Sequence, residues 1–177
     1  MITGPSGVGK GTLIKALLER VPGLELAVSA TTRRPREGER NGIDYHFLSD
    51  ADFDRRVGAG EFVEHAVYAG NRYGTLRTEL ARPARGIVLE IDLQGARQVR
   101  DELPEAVQIF IEPPSFEALE ERLRRRAADS PEQIERRLAA ARAELEAASE
   151  FDHRIVNDDL GRAVQELTEL VATMSSP

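Results

Sequence analysis

A chain of 177 residues, 41% hydrophobic and 31% charged, has the size and composition of one well-cored soluble domain, with room for a subdomain inserted in a loop but not for a second full domain. With no cysteine, disulfides and cysteine-ligated metals are excluded, and a net charge of −7 disfavours a protein that grips DNA or RNA along its backbone. No apolar run approaches the ~20 residues of a membrane span. Met1 leads straight into a glycine-rich loop without a leader pattern, so a cytoplasmic location is expected.

In chain order, the residues Met1-Ile2-Thr3 form the short strand expected ahead of the loop GPSGVGKGT at 4–12, and a helix is predicted over 10–20. Strand-like apolar runs follow at LAVS (26–29), IVLEI (87–91), VQIFI (107–111) and RIV (154–156). Helical patterns cover about 94–102, 115–126, 132–149 and 159–173. Buried strands alternating with helices argue for an α/β fold with a parallel sheet. Residues 31–82 break the alternation. Polar turns, strand signals at DYHF and EFVEHAV, and a short helix beginning at Ser49 read as a small mixed α/β insertion.

The helix at 132–149 has a strong start signal: Ser130 as cap, Pro131 at the first helical position and Gln133 completing a capping box. Its apolar stripe is Ile134, Leu138, Ala141 and Leu145; at 100° per residue Arg137 flanks that stripe and Arg136 points away. On the preceding helix, with Phe116, Leu119 and Leu123, Arg126 sits beside the stripe and Arg125 opposite. Two arginines therefore stand at the border of core and solvent, on either side of a tip at Ala127–Ser130.

The loop is the strongest chemical signal. Gly4, Gly7, Gly9 and Gly11 permit close approach of backbone to ligand, successive N–H groups make a concave anion site, and the helix that starts near Lys10 adds its positive end. Lys10, one of only two lysines against 22 arginines, supplies a mobile point charge for outer phosphates. The pattern departs from G-x-x-x-x-G-K-[ST] at Gly11, where a metal-ligating hydroxyl is usual; Thr12 follows it.

The loop alone indicates phosphate. With SATTRRPREGERNGIDYHF (29–47), EFVEHAVYAGNRYGT (61–75), LEIDLQG (89–95), RLRRRAADSPEQIERRLAAARAEL (122–145) and IVNDDL (155–160), essentially the whole chain resembles guanylate kinase, and GKGT resembles a loop variant shared by nucleoside monophosphate kinases. The resemblance implies transfer of the γ-phosphate of MgATP to GMP by a P-loop nucleoside monophosphate kinase fold. Its core would be 1–30, 83–121 and 148–177, its GMP-binding insertion 31–82 and its helical lid 122–147. ATP would lie on Gly4, Pro5, Ser6, Gly7, Val8, Gly9, Lys10, Gly11 and Thr12, with Arg126 and Asn157. Lys10, Arg36, Arg126 and Arg137 would be the catalytic cations.

GMP would be held by Ser29, Arg33, Arg36, Tyr45, Glu64, Tyr73, Thr75 and Asp92. Arg33, Arg36, Tyr45 and Tyr73 would clamp its phosphate, and Glu64 would accept from the ring N–H and exocyclic amine of guanine, a donor pair adenine lacks. Asp92 could equally cap the 94–102 helix, and Asn157 an N-terminus. Mg²⁺ would come with ATP, reached through water by Thr12, Glu90 and Asp92. Arg34 and Arg40 read as solvated, Arg122, Arg124 and Arg125 as helix-surface arginines in i,i+4 pairs, and His46, His65 and His153 as structural or exposed. The competing readings are a guanylate-kinase-like interaction module and a related kinase with another small phosphate acceptor. Oligomeric state is not legible.

Overall fold

In a computed structural model of the chain, residues 1–68, 70–125 and 130–174 are described. The elements are β1 (Ile2–Thr3), α1 (Lys10–Arg20), β2 (Leu24–Leu26), β3 (Ala30–Thr31), β4 (His46–Phe47), α2 (Asp50–Gly58), β5 (Phe62–Tyr68), β6 (Asn71–Leu76), α3 (Arg77–Leu80), β7 (Gly86–Val88), α4 (Leu93–Glu102), β8 (Ile109–Glu112), α5 (Phe116–Arg125), α6 (Pro131–Glu146), a 3₁₀ turn (Ala147–Glu150), β9 (His153–Val156) and α7 (Leu160–Met174). They fall into two compact units, Met1–Gly23 with Val107–Pro177, and Leu24–Ala106.

The first unit is built on a parallel sheet of order β1-β8-β9, in which Ile2 pairs with Ile109 and Ile111 with Ile155. β8 buries Ile109, Phe110 and Ile111 in succession, the continuous apolar run of a strand covered on both faces. α1 buries Leu13, Ile14 and Leu17 and packs against α7, which buries Ala163, Val164 and Leu167. α6 starts as its sequence predicts: the Ser130 hydroxyl accepts from Gln133 N, Gln133 Oε1 accepts from Ser130 N, and Pro131 opens the helix. Arg142 of α6 lies over the ring of Phe116 of α5, 3.9 Å from its centroid.

The second unit holds a mixed sheet of order β4-β3-β6-β5 and a parallel pair, β2-β7. A small core of Ala30, Phe53, Phe62 and Leu76 fills one face, with Phe53 and Phe62 stacked 4.5 Å apart. Ser49 caps α2, accepting from Asp52 N.

The elements depart from the sequence pattern where side chains take over backbone bonds. Only Leu26 of the apolar run 26–29 lies in a strand, the end of β2, and β3 begins after the run at Ala30; between them Val28 N–H donates to Glu79 Oε2 instead of to a strand. Likewise β8 begins at Ile109, not 107, since Gln108 N–H donates to Asp152 Oδ2. The helix predicted to run to 149 tightens into the 3₁₀ turn after Glu146. β6 and α3 carried no apolar signal strong enough to predict. No helix among the described residues is long and apolar enough to cross a membrane.

Candidate active site

In the first unit, the loop between β1 and α1 is fastened from outside by groups that take its carbonyls. Asn157 Nδ2 donates to Val8 O at 2.8 Å and Arg122 Nη1 to the same oxygen at 3.3 Å, while Arg122 Nη2 holds Asn157 O at 2.9 Å. Val8 N–H closes a turn within the loop on Pro5 O at 3.2 Å, and the loop leads into the opening of α1, whose first-turn donors have no intrahelical partner. Gly9 caps that helix with φ 102° and no side-chain cap; a Cβ there would come within 2.6 Å of Asn157 Nδ2. An anion is the natural partner of such a helix start. Lys10 Nζ rests on Gly4 O at 2.5 Å and Pro5 O at 3.3 Å. Thr12 lies exposed on the first turn of α1.

Asn157 is buried at 7% exposure and does not cap α7; Asp159 does, accepting from Arg162 N at 2.9 Å. Arg122, read from the sequence as a surface arginine, is instead a brace of the loop. Its neighbours do form the expected surface pairs, Arg124 with Glu120 and Arg125 with Glu121. On α6, Arg137 is half-buried and Arg136 exposed, as the helical-face argument requires. Arg126, with Ala127, Ala128 and Asp129, lies outside the described residues.

In the second unit, the sequence-predicted acceptor residues lie on the mixed sheet, in its loops and at the start of α4, in two groups. Glu64 on β5 pairs with Thr75 on β6, and Thr75 Oγ1 donates to Glu64 Oε1 at 2.7 Å. Only 4% of Glu64 is exposed. Burial pushes its carboxyl up to about 7, with the charge of Asp92 adding to the rise and the Thr75 hydrogen bond opposing it. The start of α4 is shaped around this acid: a Cβ on Gly95 would lie 2.5 Å from Glu64 Oε2. Asp92 caps α4, its Oδ1 accepting from Gly95 N at 2.8 Å. Ser29 O receives His46 N–H at 2.9 Å, joining the β2–β3 connection to β4.

The cationic part lies in the irregular segment after β3. Arg33 forms a bidentate pair with Glu39, Nη2 to Oε1 at 2.8 Å and Nη1 to Oε2 at 3.0 Å, and stands over the Tyr45 ring, 5.2 Å from its centroid. Glu39 holds Arg33 more firmly protonated, burial opposes it, and the Tyr73 hydroxyl adds to it. The Tyr45 and Tyr73 rings meet edge-on at 6.1 Å. Burial raises the Tyr45 hydroxyl above its usual range, and Glu90 is near enough to contribute. Arg36 is exposed, as are Arg34 and Arg40.

Three residues escaped the sequence reading. Arg122 and Glu39 are charged residues in charged runs, and only their contacts distinguish them. The third is Glu79, which is buried and accepts from Val28 N, Arg82 Nη1 and the His46 ring at 2.9 Å each. A lone acid in a short helix gives no sign of that.

The sequence profile of the guanylate kinase family matches residues 1–174. Guanylate kinase of Nostoc sp. strain PCC 7120 is 54% identical over 168 residues, 93% of this chain and 84% of the relative. Guanylate kinase of Thermobifida fusca is 50% identical over 179 residues, 99% of this chain and 91% of the relative. Among solved structures, guanylate kinase from Anaplasma phagocytophilum superposes with a TM-score of 0.80 at 31% identity, covering 100% of this chain and 86% of that one. With a family profile matched over residues 1–174 and relatives 50–54% identical along nearly its whole length, the chain belongs to the guanylate kinase family.

Proposed function

We infer that the chain is an ATP:GMP phosphotransferase. An oxygen of the GMP phosphate attacks the γ-phosphorus of ATP, the bond from that phosphorus to the β,γ-bridging oxygen breaks, and ADP and GDP leave. The observation that carries this reading is Glu64, a carboxylate 4% exposed and held by Thr75, in a chain that also carries the Lys10 loop. A buried acid with one fixed donor has further lone pairs for a ligand's N–H groups. Guanine offers two adjacent donors, N1–H and the exocyclic amine, where adenine offers an acceptor at N1.

In this reading Ser29, Glu64, Thr75 and Asp92 bind the base, while Arg33, Arg36, Tyr45 and Tyr73 hold the GMP phosphate. The Gly4–Thr12 loop and Asn157 serve ATP. Phosphoryl transfer needs positioning and positive charge more than covalent chemistry, which is the role of Lys10, Arg36, Arg126 and Arg137. The core is assigned to 1–30, 83–121 and 148–177, the acceptor segment to 31–82 and the lid to 122–147.

Mg²⁺ suits the chemistry of the residues assigned to it, which are hard oxygen donors throughout: the Thr12 hydroxyl, exposed in the first unit, and Glu90 and Asp92, each half-buried in the second. Among the described residues no three acid or imidazole groups gather as a metal cage, so ATP oxygens and water would complete its shell. When bound, the ion neutralises the charge of the phosphates.

An acceptor panel with MgATP tests the function. GMP-dependent ADP formation is expected, with little or none for AMP, CMP or UMP; no GMP-dependent turnover would overturn the reading, and equal turnover with AMP would remove guanine recognition from it.

A further inference from the structure

The clamp arginines are tied to one carboxylate that no sequence pattern singled out. Glu39 takes Arg33 through both oxygens, and its Oε2 also accepts Arg36 N–H at 2.7 Å. The turn is closed by Glu39 N–H donating to Arg36 O at 3.1 Å. Arg33 Nη1 gives its second proton to Arg34 O at 2.9 Å. These bonds take both Nη1 protons and one Nη2 proton. The Nε–H and the second Nη2–H lie together on the other edge of the guanidinium, a second planar fork of the kind that matches two phosphate oxygens; the Tyr73 hydroxyl is a further hydrogen-bond partner of this guanidinium.

We propose that Glu39 is a positioning residue for the acceptor phosphate: by occupying the end of the Arg33 guanidinium and holding the Arg36 backbone, it turns the side edge of Arg33 toward the GMP phosphate. Glu39 touches no reacting atom. Its carboxylate is 19% exposed and Arg33 is 15% exposed, so the pair is shielded enough to keep one geometry. The ring of Tyr45 beneath the guanidinium plane leaves rotation about the side chain as the remaining freedom, and the bidentate pair removes it. The alternative role for the same carboxylate is competition, in which it would have to leave before phosphate could enter. The two roles predict opposite signs.

The inference rests on the assignment of Arg33 to the GMP phosphate, and the experiment separates the two. Steady-state kinetics of Glu39→Gln, Glu39→Asp, Arg33→Gln and the double variant Arg33→Gln/Glu39→Gln would be compared with the parent. Glu39→Gln is expected to raise KM for GMP about tenfold, the size of one misdirected charge-assisted hydrogen bond, with kcat and KM for ATP unchanged. Glu39→Asp should recover part of the loss. The double variant should be no worse than Arg33→Gln. An unchanged or lowered KM for GMP in Glu39→Gln, while Arg33→Gln raises it, would overturn the positioning role and, if lowered, establish competition. An unchanged KM for GMP in Arg33→Gln would instead remove the phosphate assignment on which the inference stands. Additive losses in the double variant would also overturn it.

Discussion

Two of the cations proposed to meet phosphates, Lys10 and Arg33, hold different oxygens. In the first unit Lys10 rests on the neutral carbonyls of Gly4 and Pro5; in the second Arg33 is locked by the carboxylate of Glu39. An ammonium on a flexible stem with three rotatable donors can leave carbonyls for a phosphate and travel with it. A guanidinium in a bidentate, charge-assisted pair stays where it is. In the proposed function the donor side is then a braced loop with a lysine on a flexible stem, and the acceptor side a fixed plate. A moving γ-phosphate needs the first, and a GMP phosphate that must hold still as the nucleophile needs the second.

The largest effect should come from removing the mobile charge. Lys10→Ala is expected to lower kcat roughly 10²–10³-fold, the scale for one preorganised donor at developing charge, while KM for GMP stays near its parent value. Lys10→Arg should not restore it, because a planar fork cannot replace a point charge. Single-turnover kinetics with saturating ATP would check this; a defect confined to ATP binding would make Lys10 as static as Arg33 and erase the contrast.

Next is the fixed side's base reader. Glu64→Gln presents one acceptor and one donor to guanine's two donors, and should cost on the order of 10²-fold in kcat/KM for GMP with KM for ATP unchanged. The carboxyl is raised from 4.5 to about 7, so in the free protein it is protonated below that pH and accepts poorly. KM for GMP should therefore climb about tenfold per unit as pH falls below 7, and the climb should vanish in Glu64→Gln. Stability has the opposite sign. A group whose pKa is raised on folding favours the folded state below its unfolded pKa, so this contribution is lost as pH rises from 4.5 through 7. Denaturant melts across that window should fall for the parent and be flatter for Glu64→Gln.

Third, the brace. Arg122→Ala frees Asn157 O and leaves Val8 O to Asn157 Nδ2 alone, and should raise KM for ATP about tenfold, equivalent to one charge-assisted hydrogen bond, leaving KM for GMP alone. Equal effects on both nucleotides would mean the loop does not depend on this fastening.

What the sequence revealed follows the range of each interaction. The capping box at Ser130, the cap at Ser49 and the apolar run of β8 depend on residues a few positions apart, and all are present. The position of Arg137 beside Leu138 came from helical geometry alone. By contrast, Arg122 reaches Val8 across 114 positions and Glu79 reaches Val28 across 51. No local pattern distinguishes either from its charged neighbours. The end of β2 at Leu26, short of the apolar run 26–29, has the same cause, a distant side chain replacing a ladder bond at Val28. Glu39 lies only six positions from Arg33, yet its role went unread because EGERNG looks like any solvated turn until its carboxylate is seen to meet both arginines.

The smallest effect, and the one that resolves most finely, is expected at Thr75. Its hydroxyl donates to Glu64 Oε1 and opposes the rise that burial imposes on that carboxyl. Thr75→Val keeps the shape of the strand and removes the donor, so the Glu64 pKa should move above 7. At pH 7 a larger fraction of Glu64 would then be protonated, and KM for GMP should rise a few-fold, the worth of one buried hydrogen bond. Raising the pH to 9 ionises Glu64 in both proteins, so the part of the difference that acts through its pKa should vanish and only the loss of Thr75's own contact with the base should remain. Complete convergence of the two KM values at pH 9 would remove Thr75 from the readers of the base and leave it acting only through Glu64. Full titrations of KM against pH for the two proteins distinguish a lateral shift of the curve from a vertical one.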